Sequence, residues 1–468
     1  MLETQNKNKK QDRTHILENM PVGKAIWTLA IPTMTAMLIQ VLYNMTDTFF
    51  IGKLNNPHMV AAIAISMPVF MIIQGFGNVF AVGGASLISR LLGKGEMDSA
   101  SQAGAVAFWS ALIVCSVVSL VSIFFTEPIL MLCGASENTI GFGKSYLMIM
   151  FLGSPFIGIK MALSGLLRSE GATKEAMIGM MTGSILNMVL DPVFIFLLQM
   201  GVAGAAVATV IGNIVGFSYL LTFYLQKKGV VSIAWRHYSF NKKVYAEIFK
   251  IGIPASAGMV LMSIGFALAN VFAAGFSDDV VAANGVVMRV TNIAVMLAMG
   301  LAFGCQPLMG YSYGAKKYGR LLATVKKSMS IGTVMSTVFG LLFIAFPHYW
   351  VKVFINDAGV IDLGVKIMRP LAVVMPALGV EMILLTMFQS LGKTVESLIV
   401  SLGRQGLFFI PALYFFSSSW GFNGFIFALP FADVATTLLA VALFFNVRKN
   451  LHLPAEKIVN APHPVQGL

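Results

Sequence analysis

Residues 176–198 read AMIGMMTGSILNMVLDPVFIFLL, an apolar run that carries a single charged side chain, Asp191. One membrane-spanning helix needs about 20 mostly apolar residues, so this run predicts such a helix. Asn187 and Asp191 lie four residues apart and therefore share one face of it. Pro192 cannot donate a backbone hydrogen bond and should loosen the carbonyl group four residues earlier. An ionisable group at this depth is costly in lipid and by default indicates an ion or proton site inside a helix bundle.

The composition of the whole chain is that of a polytopic membrane protein. Of 468 residues, 57% are hydrophobic and 11% are charged, and the mean hydropathy is +0.81. Soluble domains carry about 25% charged residues, so a soluble chain of this length could not cover its surface. Residues 1–24 are polar and basic and lack an apolar core of signal-peptide type, which predicts a cytoplasmic tail.

Twelve stretches are long and apolar enough to cross a bilayer. The sequence therefore predicts an all-α integral membrane protein with twelve transmembrane helices. The stretches are 25–51, 59–82, 102–125, 145–167, 176–198, 202–225, 246–275, 281–310, 325–346, 368–390, 396–417 and 422–446.

Lysine and arginine indicate the orientation of these helices, because short cytoplasmic loops are enriched in both. The basic residues concentrate in the N-terminal tail and in alternate loops, and the longest of these loops is 227–243. Both termini are therefore predicted to be cytoplasmic, in the inner membrane of a prokaryote. The net charge of +12 is explained by this topology, so no nucleic-acid partner is expected.

The chain also repeats itself. Ala30-Ile-Pro32 recurs as Gly252-Ile-Pro254, and the glycines at 83 and 93 recur at 304 and 314, an offset of 220 to 222 residues in each case. Each half holds six spans, which predicts two pseudo-symmetric six-helix bundles around a central cleft, as in one class of secondary transporters. The predicted divisions are an N-lobe (25–226), a cytoplasmic linker (227–243), a C-lobe (244–447) and a cytoplasmic tail (448–468).

Three helices of the first half place oxygen atoms at a similar depth. At a rise of about 1.5 Å per residue, Asp191 lies about 10 Å from the outer end of the fifth helix and Asp47 about 8 Å from the outer end of the first. Thr209 lies about 12 Å from the outer start of the sixth helix. Two carboxylates, an amide and a hydroxyl suit a small cation, and two neighbouring carboxylates also favour a shared proton, since like charges repel. The alternative is a structural role, in which these side chains bond backbone groups freed at helix kinks.

Polar residues near the middle of the membrane also occur in the second half. Glu381 and Asp433 lie near the midplane, and the repeat aligns them with Lys160 and Asn213. Glu381 is expected either to pair structurally, with Arg404 or Lys160, or to attract a cationic substrate together with Asp433. The residues predicted to line a substrate path are Gln74, Asn78, Lys160, Asn213, Glu381 and Asp433. Interhelical hydrogen bonding explains Gln74 and Asn78 equally well.

Three motifs resemble the multidrug and toxic compound extrusion (MATE) family. They are Asn44-Met-Thr-Asp47-Thr-Phe-Phe-Ile-Gly52, Gly83-Gly-Ala-Ser-Leu-Ile-Ser-Arg-Leu-Leu-Gly93 and Asn187-x-x-x-Asp191-Pro192. The resemblance implies export of organic cations in exchange for inward sodium ions or protons. It also implies that Asp47, Asn187, Asp191 and Thr209 form the cation site. The seventh helix lacks the acid that some members carry there, so a coupling site on that helix of the C-lobe is not expected.

Two other functions stay open at this point. One is a flippase for lipid-linked oligosaccharides, which the wider superfamily includes, and the other is a membrane receptor or channel that does not transport. The chain has no P-loop and no usable His/Cys metal spacing, so it is not expected to be an enzyme or an ATP-driven pump. We expect no cofactor beyond the coupling ion, small organic cations and membrane lipid as partners, and a monomer.

Overall fold

The computed structural model describes residues 11–54, 56–449 and 451, and long apolar helices make up most of this part of the chain. Residues 1–10 of the predicted N-terminal tail and most of the predicted tail 448–468 therefore lie outside the described residues. The first ten spanning helices are α1 (Val22–Gly52), α2 (Pro57–Lys94), α3 (Met97–Phe124), α4 (Glu137–Ser169), α5 (Thr173–Pro192), α6 (Gly201–Leu225), α7 (Lys242–Ala274), α8 (Asp278–Gly314), α9 (Tyr318–Ala345) and α10 (Ala358–Leu391). Short helices Thr126–Leu132 and Pro347–Lys352 follow α3 and α9.

The last apolar stretch, Thr394–Lys449, contains 56 residues. At about 1.5 Å per residue it is more than twice as long as the hydrocarbon core of a bilayer is thick. The helix breaks at Gly421, where φ is 58° and ψ is −134°. We name the two arms α11 (394–420) and α12 (422–449). With them, the fold predicted from the sequence, twelve spans in an all-α protein, is confirmed.

Helices α2 and α8 extend past the C-terminal ends of their predicted runs, 59–82 and 281–310. They continue as uninterrupted helix through Gly83 and Gly304 to Lys94 and Gly314. Their ends pack against the opposite half of the molecule, where a Cβ atom on Gly93 would collide with the Tyr311 carbonyl oxygen and one on Gly314 with the Arg90 carbonyl oxygen. The linker is also shorter than 227–243, since Asn241 caps α7 by accepting a hydrogen bond from the Lys243 backbone N–H.

The hydrophobic cores divide the molecule into two lobes joined at one end. At the end where α1 begins, a single cluster of buried side chains contains residues of both halves, such as Ile26, Leu166 and Leu308. Toward the opposite end the core splits. One cluster contains N-lobe residues such as Phe151, and another contains C-lobe residues such as Phe343. The lobes are therefore closed against each other at the end where α1 begins and have separate cores at the other.

Glycines make this closure possible. A Cβ atom on Gly83 would collide with the Ile248 carbonyl oxygen across the lobe interface, and one on Gly304 would lie 2.5 Å from the Ala30 Cα atom. These two glycines occupy equivalent positions in the repeat, so close backbone approach at a glycine joins the two lobes at two places. Hydrogen bonds add to the seal: the Thr33 hydroxyl donates to the Gly300 carbonyl at 2.6 Å.

A buried carboxyl group ties the loops together at the closed end. Glu170 follows α4, is 1% exposed, and accepts hydrogen bonds from the Tyr224 hydroxyl at 2.7 Å and from the Val230 backbone N–H. Burial away from water raises the pKa of Glu170 to about 7, although these hydrogen bonds and the charge of Arg13 oppose the shift. This loop group therefore titrates near neutral pH.

We expect the titration of Glu170 to make stability depend on pH. The pKa is above its ordinary value of 4.5 in the folded protein, so the folded state binds a proton that the unfolded state has released between these values. Stability then falls as the pH rises through this window. Thermal unfolding of the detergent-solubilised protein checks this: the wild type should lose stability relative to Glu170→Gln between about pH 5 and pH 8. Parallel curves for the two proteins would contradict it.

Candidate functional site

The carboxyl group of Asp191 lies at the centre of the N-lobe candidate site. Asp191 is 0% exposed and sits one residue before Pro192, where α5 passes into the π-helical turn Val193–Leu197. Proline removes a backbone donor, and such a turn shifts the hydrogen-bond register, which explains why the helix changes here. π-Helical turns within α-helices are frequently found at functional sites.

Asn187 connects Asp191 to α6. Both the oxygen and the nitrogen of the Asn187 amide have hydrogen-bond partners when the oxygen faces Thr209. The oxygen then accepts hydrogen bonds from the Thr209 backbone N–H at 2.8 Å and from the Thr209 hydroxyl at 3.1 Å. Its nitrogen then donates to Asp191 Oδ2 at 3.1 Å. Asn187 and Thr209 are both buried, at 3% and 5% exposure. Three of the four residues predicted for the cation site therefore form one hydrogen-bonded group.

The fourth residue, Asp47 on α1, belongs to the same electrostatic group. It is partly buried and lies within electrostatic range of Asp191. Tyr43, one helical turn earlier on α1, is buried beside the Thr209 hydroxyl and lies within electrostatic range of both carboxylates. Tyr146 on α4 lies within electrostatic range of both carboxylates too. Neither tyrosine was among the residues predicted for the site. Only the spacing of four between Tyr43 and Asp47 could have pointed to one of them.

The donor set fits a small monovalent cation or a proton. Asp191 Oδ1 is buried and has no hydrogen-bond partner among the described residues, and a buried carboxylate oxygen without one is costly. A proton or a bound cation would satisfy it. Hard oxygen ligands suit sodium, whereas His and Cys, the usual ligands of transition metals, are absent from this group. Asp47, Asn187, Asp191 and Thr209 are the residues that could hold such an ion.

A second polar cluster lies in the C-lobe. Arg404 Nε donates to Asp433 Oδ1 at 2.7 Å, between side chains that are 16% and 8% exposed. Glu381 is 1% exposed, within electrostatic range of both, and its Oε2 has no hydrogen-bond partner among the described residues. Of the two partners considered for Glu381, Arg404 lies within electrostatic range of it but is hydrogen-bonded to Asp433 on α12 instead. Among the described residues, no hydrogen bond or ion pair joins Glu381 to Arg404 or to Lys160.

This cluster borders a cavity of about 70 Å³. Its lining includes Met262, Met288, Met296, Met299 and Met375, together with Arg404, Gln405 and Asp433. Methionine side chains adapt their shape and are common on surfaces that bind many different molecules. The cavity as it stands holds water-sized molecules, because drug-sized pockets are about 300 Å³ or larger.

The structure does not bring the other predicted path residues together. Asn78 donates to Ser256 at 3.3 Å across the lobe interface, and Asn213 donates to the Thr209 carbonyl of its own helix at 2.7 Å. Gln74 is half-buried, and Lys160 lies against Gly216 of α6. Of the six predicted path residues, Asp433 lines the cavity described above.

We expect the Arg404–Asp433 pair to be essential for the stability of the C-lobe. Removing one partner of a buried ion pair leaves an uncompensated charge, which costs about 3–5 kcal/mol. Arg404→Met should therefore lower the thermal unfolding temperature sharply. The double variant Arg404→Met/Asp433→Leu should recover most of the loss, because neither charge remains. A single variant as stable as the wild type would contradict this reading.

Comparisons with known proteins identify relatives of nearly the full length of the chain. The MatE family model matches residues 32–193 and again 254–415, an offset of 222 residues that agrees with the internal repeat. The multidrug export protein MepA of Staphylococcus aureus (strain NCTC 8325 / PS 47) is 30% identical over 451 residues, covering 96% of this chain and 99% of its own. Its counterpart from Staphylococcus saprophyticus is 29% identical over 442 residues, covering 94% and 98%.

Solved structures agree with these relatives. One is described as the outward-facing conformation of a multidrug resistance MATE family transporter of the MOP superfamily. It is 25% identical in sequence, has a TM-score of 0.88, and the match covers 94% of this chain and 97% of that one.

Proposed function

The chain belongs to the MatE family, and from this premise we propose that it is a secondary antiporter that exports organic cations in exchange for sodium ions or protons. The proposal rests on one observation above all: Asp191 is fully buried, interacts with Asp47, and keeps one oxygen atom without a donor among the described residues. A buried acid in this state needs a cation or a proton. The names of the relatives support export of drugs by this chain.

The exchange requires that the ion bind two conformations with different affinities. Helix α1 connects the site to the lobe interface, because it carries Asp47 in one half and Thr33, bonded to Gly300, in the other. Pro32 directly precedes Thr33 and weakens the helix at that level, beside the lobe interface. In our proposal, ion binding at Asp47 and Asp191 changes the bend of α1 and thereby biases the lobe interface toward release of the drug.

The orientation and surroundings of the protein are part of the same proposal. In this proposal the closed end of the lobes and both termini lie on the cytoplasmic side of the inner membrane, which the concentration of basic residues in alternate loops supports. The partners are small organic cations and lipid, and the working unit is the monomer. The acids of the C-lobe, Glu381 and Asp433, would attract the positive charge of the drug.

The test is transport of a fluorescent organic cation in proteoliposomes, under sodium and proton gradients imposed separately. The proposal expects uptake or release driven by one of these gradients and abolished when that gradient collapses. The effective gradient identifies the coupling ion. Movement that neither gradient drives would overturn the antiporter and favour a channel or a receptor.

A further inference from the structure

The segment that precedes α1 contacts both lobes at their closed end. Residues 11–18 are helical and lead directly into α1, and we call residues 11–20 the N-terminal strap. The strap packs over the end of the lobe interface, where Leu17 is 2% exposed and belongs to the core that the two lobes share. Its polar side chains and carbonyl groups form two separate sets of contacts, one for each lobe.

The contacts with the N-lobe centre on Arg13. Its guanidinium group donates to Glu175 Oε1 at 2.8 Å and to the Lys228 carbonyl at 2.9 Å, and it lies 4.8 Å from the centre of the Phe223 ring. The Arg13 side chain is 7% exposed, so the pair with Glu175 is shielded from solvent on one side. Such a partly buried, multiply bonded arginine is costly to detach, because its partners would lose their counter-charge.

The contacts with the C-lobe are more exposed. Glu18 pairs with Lys317 at 3.0 Å, between side chains that are 38% and 41% exposed. It also accepts a hydrogen bond from the Tyr311 hydroxyl at 3.3 Å. Arg320 donates to the carbonyl groups of Leu17 at 3.1 Å and Ile16 at 3.3 Å. Exposed ion pairs contribute little and are screened by salt.

The difference in strength between the two sets of contacts determines which lobe the strap can leave. The strap is continuous with α1, a helix of the N-lobe, and its buried arginine holds it there. The C-lobe holds it through an exposed ion pair and three hydrogen bonds at 3.1 to 3.3 Å. Separation of the lobes at this end would stretch both sets of contacts, and the C-lobe set is the weaker one.

We propose that the N-terminal strap is a latch that stays on the N-lobe and must release Lys317, Tyr311 and Arg320 each time the lobes open at this end. The latch would favour the conformation closed toward the cytoplasm and so limit the rate at which drug is loaded from that side. This inference rests on the proposed alternating-access function, but its geometry can be tested without measuring transport.

The first experiment uses two cysteine pairs and a reducible bifunctional thiol reagent in the full-length protein. Cross-linking Glu18→Cys to Lys317→Cys should lower transport of a fluorescent cation at least tenfold, and reduction should restore it. Cross-linking Arg13→Cys to Glu175→Cys should leave transport within twofold, because that contact persists through the cycle. The proposed latch would be overturned if the cross-link between positions 18 and 317 left transport undiminished. It would also be overturned if the two cross-links inhibited transport equally.

The second experiment reads the conformation directly. Ser256→Cys places a thiol in the lobe interface, where Ser256 is 7% exposed, so a membrane-impermeant thiol reagent added on the cytoplasmic side labels it when that side opens. Adding Glu18→Lys should increase the labelling rate severalfold. Glu127→Lys is the matched control, because Glu127 also forms an exposed pair, with Lys144 at 3.1 Å, but on the helix Thr126–Leu132 at the opposite end.

The outcomes separate the two proposals. Faster labelling in Glu18→Lys, with the control unchanged, supports the latch even if no ion gradient drives transport, in which case the antiporter alone fails. Labelling that is unchanged in Glu18→Lys, or raised equally in Glu127→Lys, would overturn the latch and leave the antiporter untouched.

Discussion

Replacement of Asp191 by Asn is expected to abolish ion-driven export while the protein still folds and inserts. The substitution keeps the size of the side chain and the hydrogen bond to Asn187 but removes the charge that a cation or proton neutralises. Asp191 is 0% exposed and lies within electrostatic range of Asp47, and the other acid of α5, Glu175, is in the first turn of the helix, far from the site. Transport in proteoliposomes should fall to the rate of passive leak.

Asp362→Asn is the matched control for this substitution. Asp362 is an acid near the start of α10, its side chain is 62% exposed, and it pairs with Lys366 on its own helix. Its loss should leave transport unchanged. If Asp191→Asn exports at the wild-type rate, the N-lobe site is wrong.

The second large effect is expected at the lobe interface. Gly83→Ala adds a Cβ atom that would collide with the Ile248 carbonyl oxygen, a backbone atom that cannot turn away. The lobes would have to move apart at their closed end, so the closed conformation loses stability and transport should fall at least tenfold.

Gly75→Ala provides the control on the same helix. Nothing lies within 4 Å of a Cβ atom at Gly75, and alanine favours the helix more than glycine does. This variant should transport and unfold like the wild type. Equal behaviour of the two variants would show that close approach at Gly83 does not hold the lobes together.

Much of the fold follows from the sequence because membranes restrict the choice. Backbone groups in lipid must be satisfied within the helix, so runs of apolar residues define the spans. The offset between repeated motifs revealed the duplication. Hydropathy did not predict the full lengths of α2 and α8, because their ends leave the lipid yet stay packed between the lobes. Only tertiary contacts determine where such helices end.

The N-lobe candidate site was also largely predictable. Asp191 and Asn187 share a helix face, and depth along the helices placed Asp47 and Thr209 at a similar level. The contribution of Tyr43 and Tyr146 was not predictable, since tyrosine is common in spanning helices and the rotation of one helix against another is not written in its own sequence. For the same reason the sequence did not show that Arg404 bonds Asp433 rather than Glu381.

The strap contacts were missed for a different reason. Residues 11–20 hold only three apolar side chains, Ile16, Leu17 and Met20, too few to define a spanning helix, so they were assigned to a tail. Their partners, such as Glu175 and Lys317, lie far along the chain. Such contacts form only after the lobes have folded, so they cannot be predicted from the composition of the segment.

The central claim is that Asp47 and Asp191 together bind the coupling ion. The most direct test is equilibrium binding to the purified protein, with radioactive sodium and, separately, with proton uptake after a step in pH. The account predicts that either Asp47→Asn or Asp191→Asn removes the bound ion, while Glu381→Gln retains it. Ion binding that survives in Asp191→Asn, or that disappears only in Glu381→Gln, would contradict it.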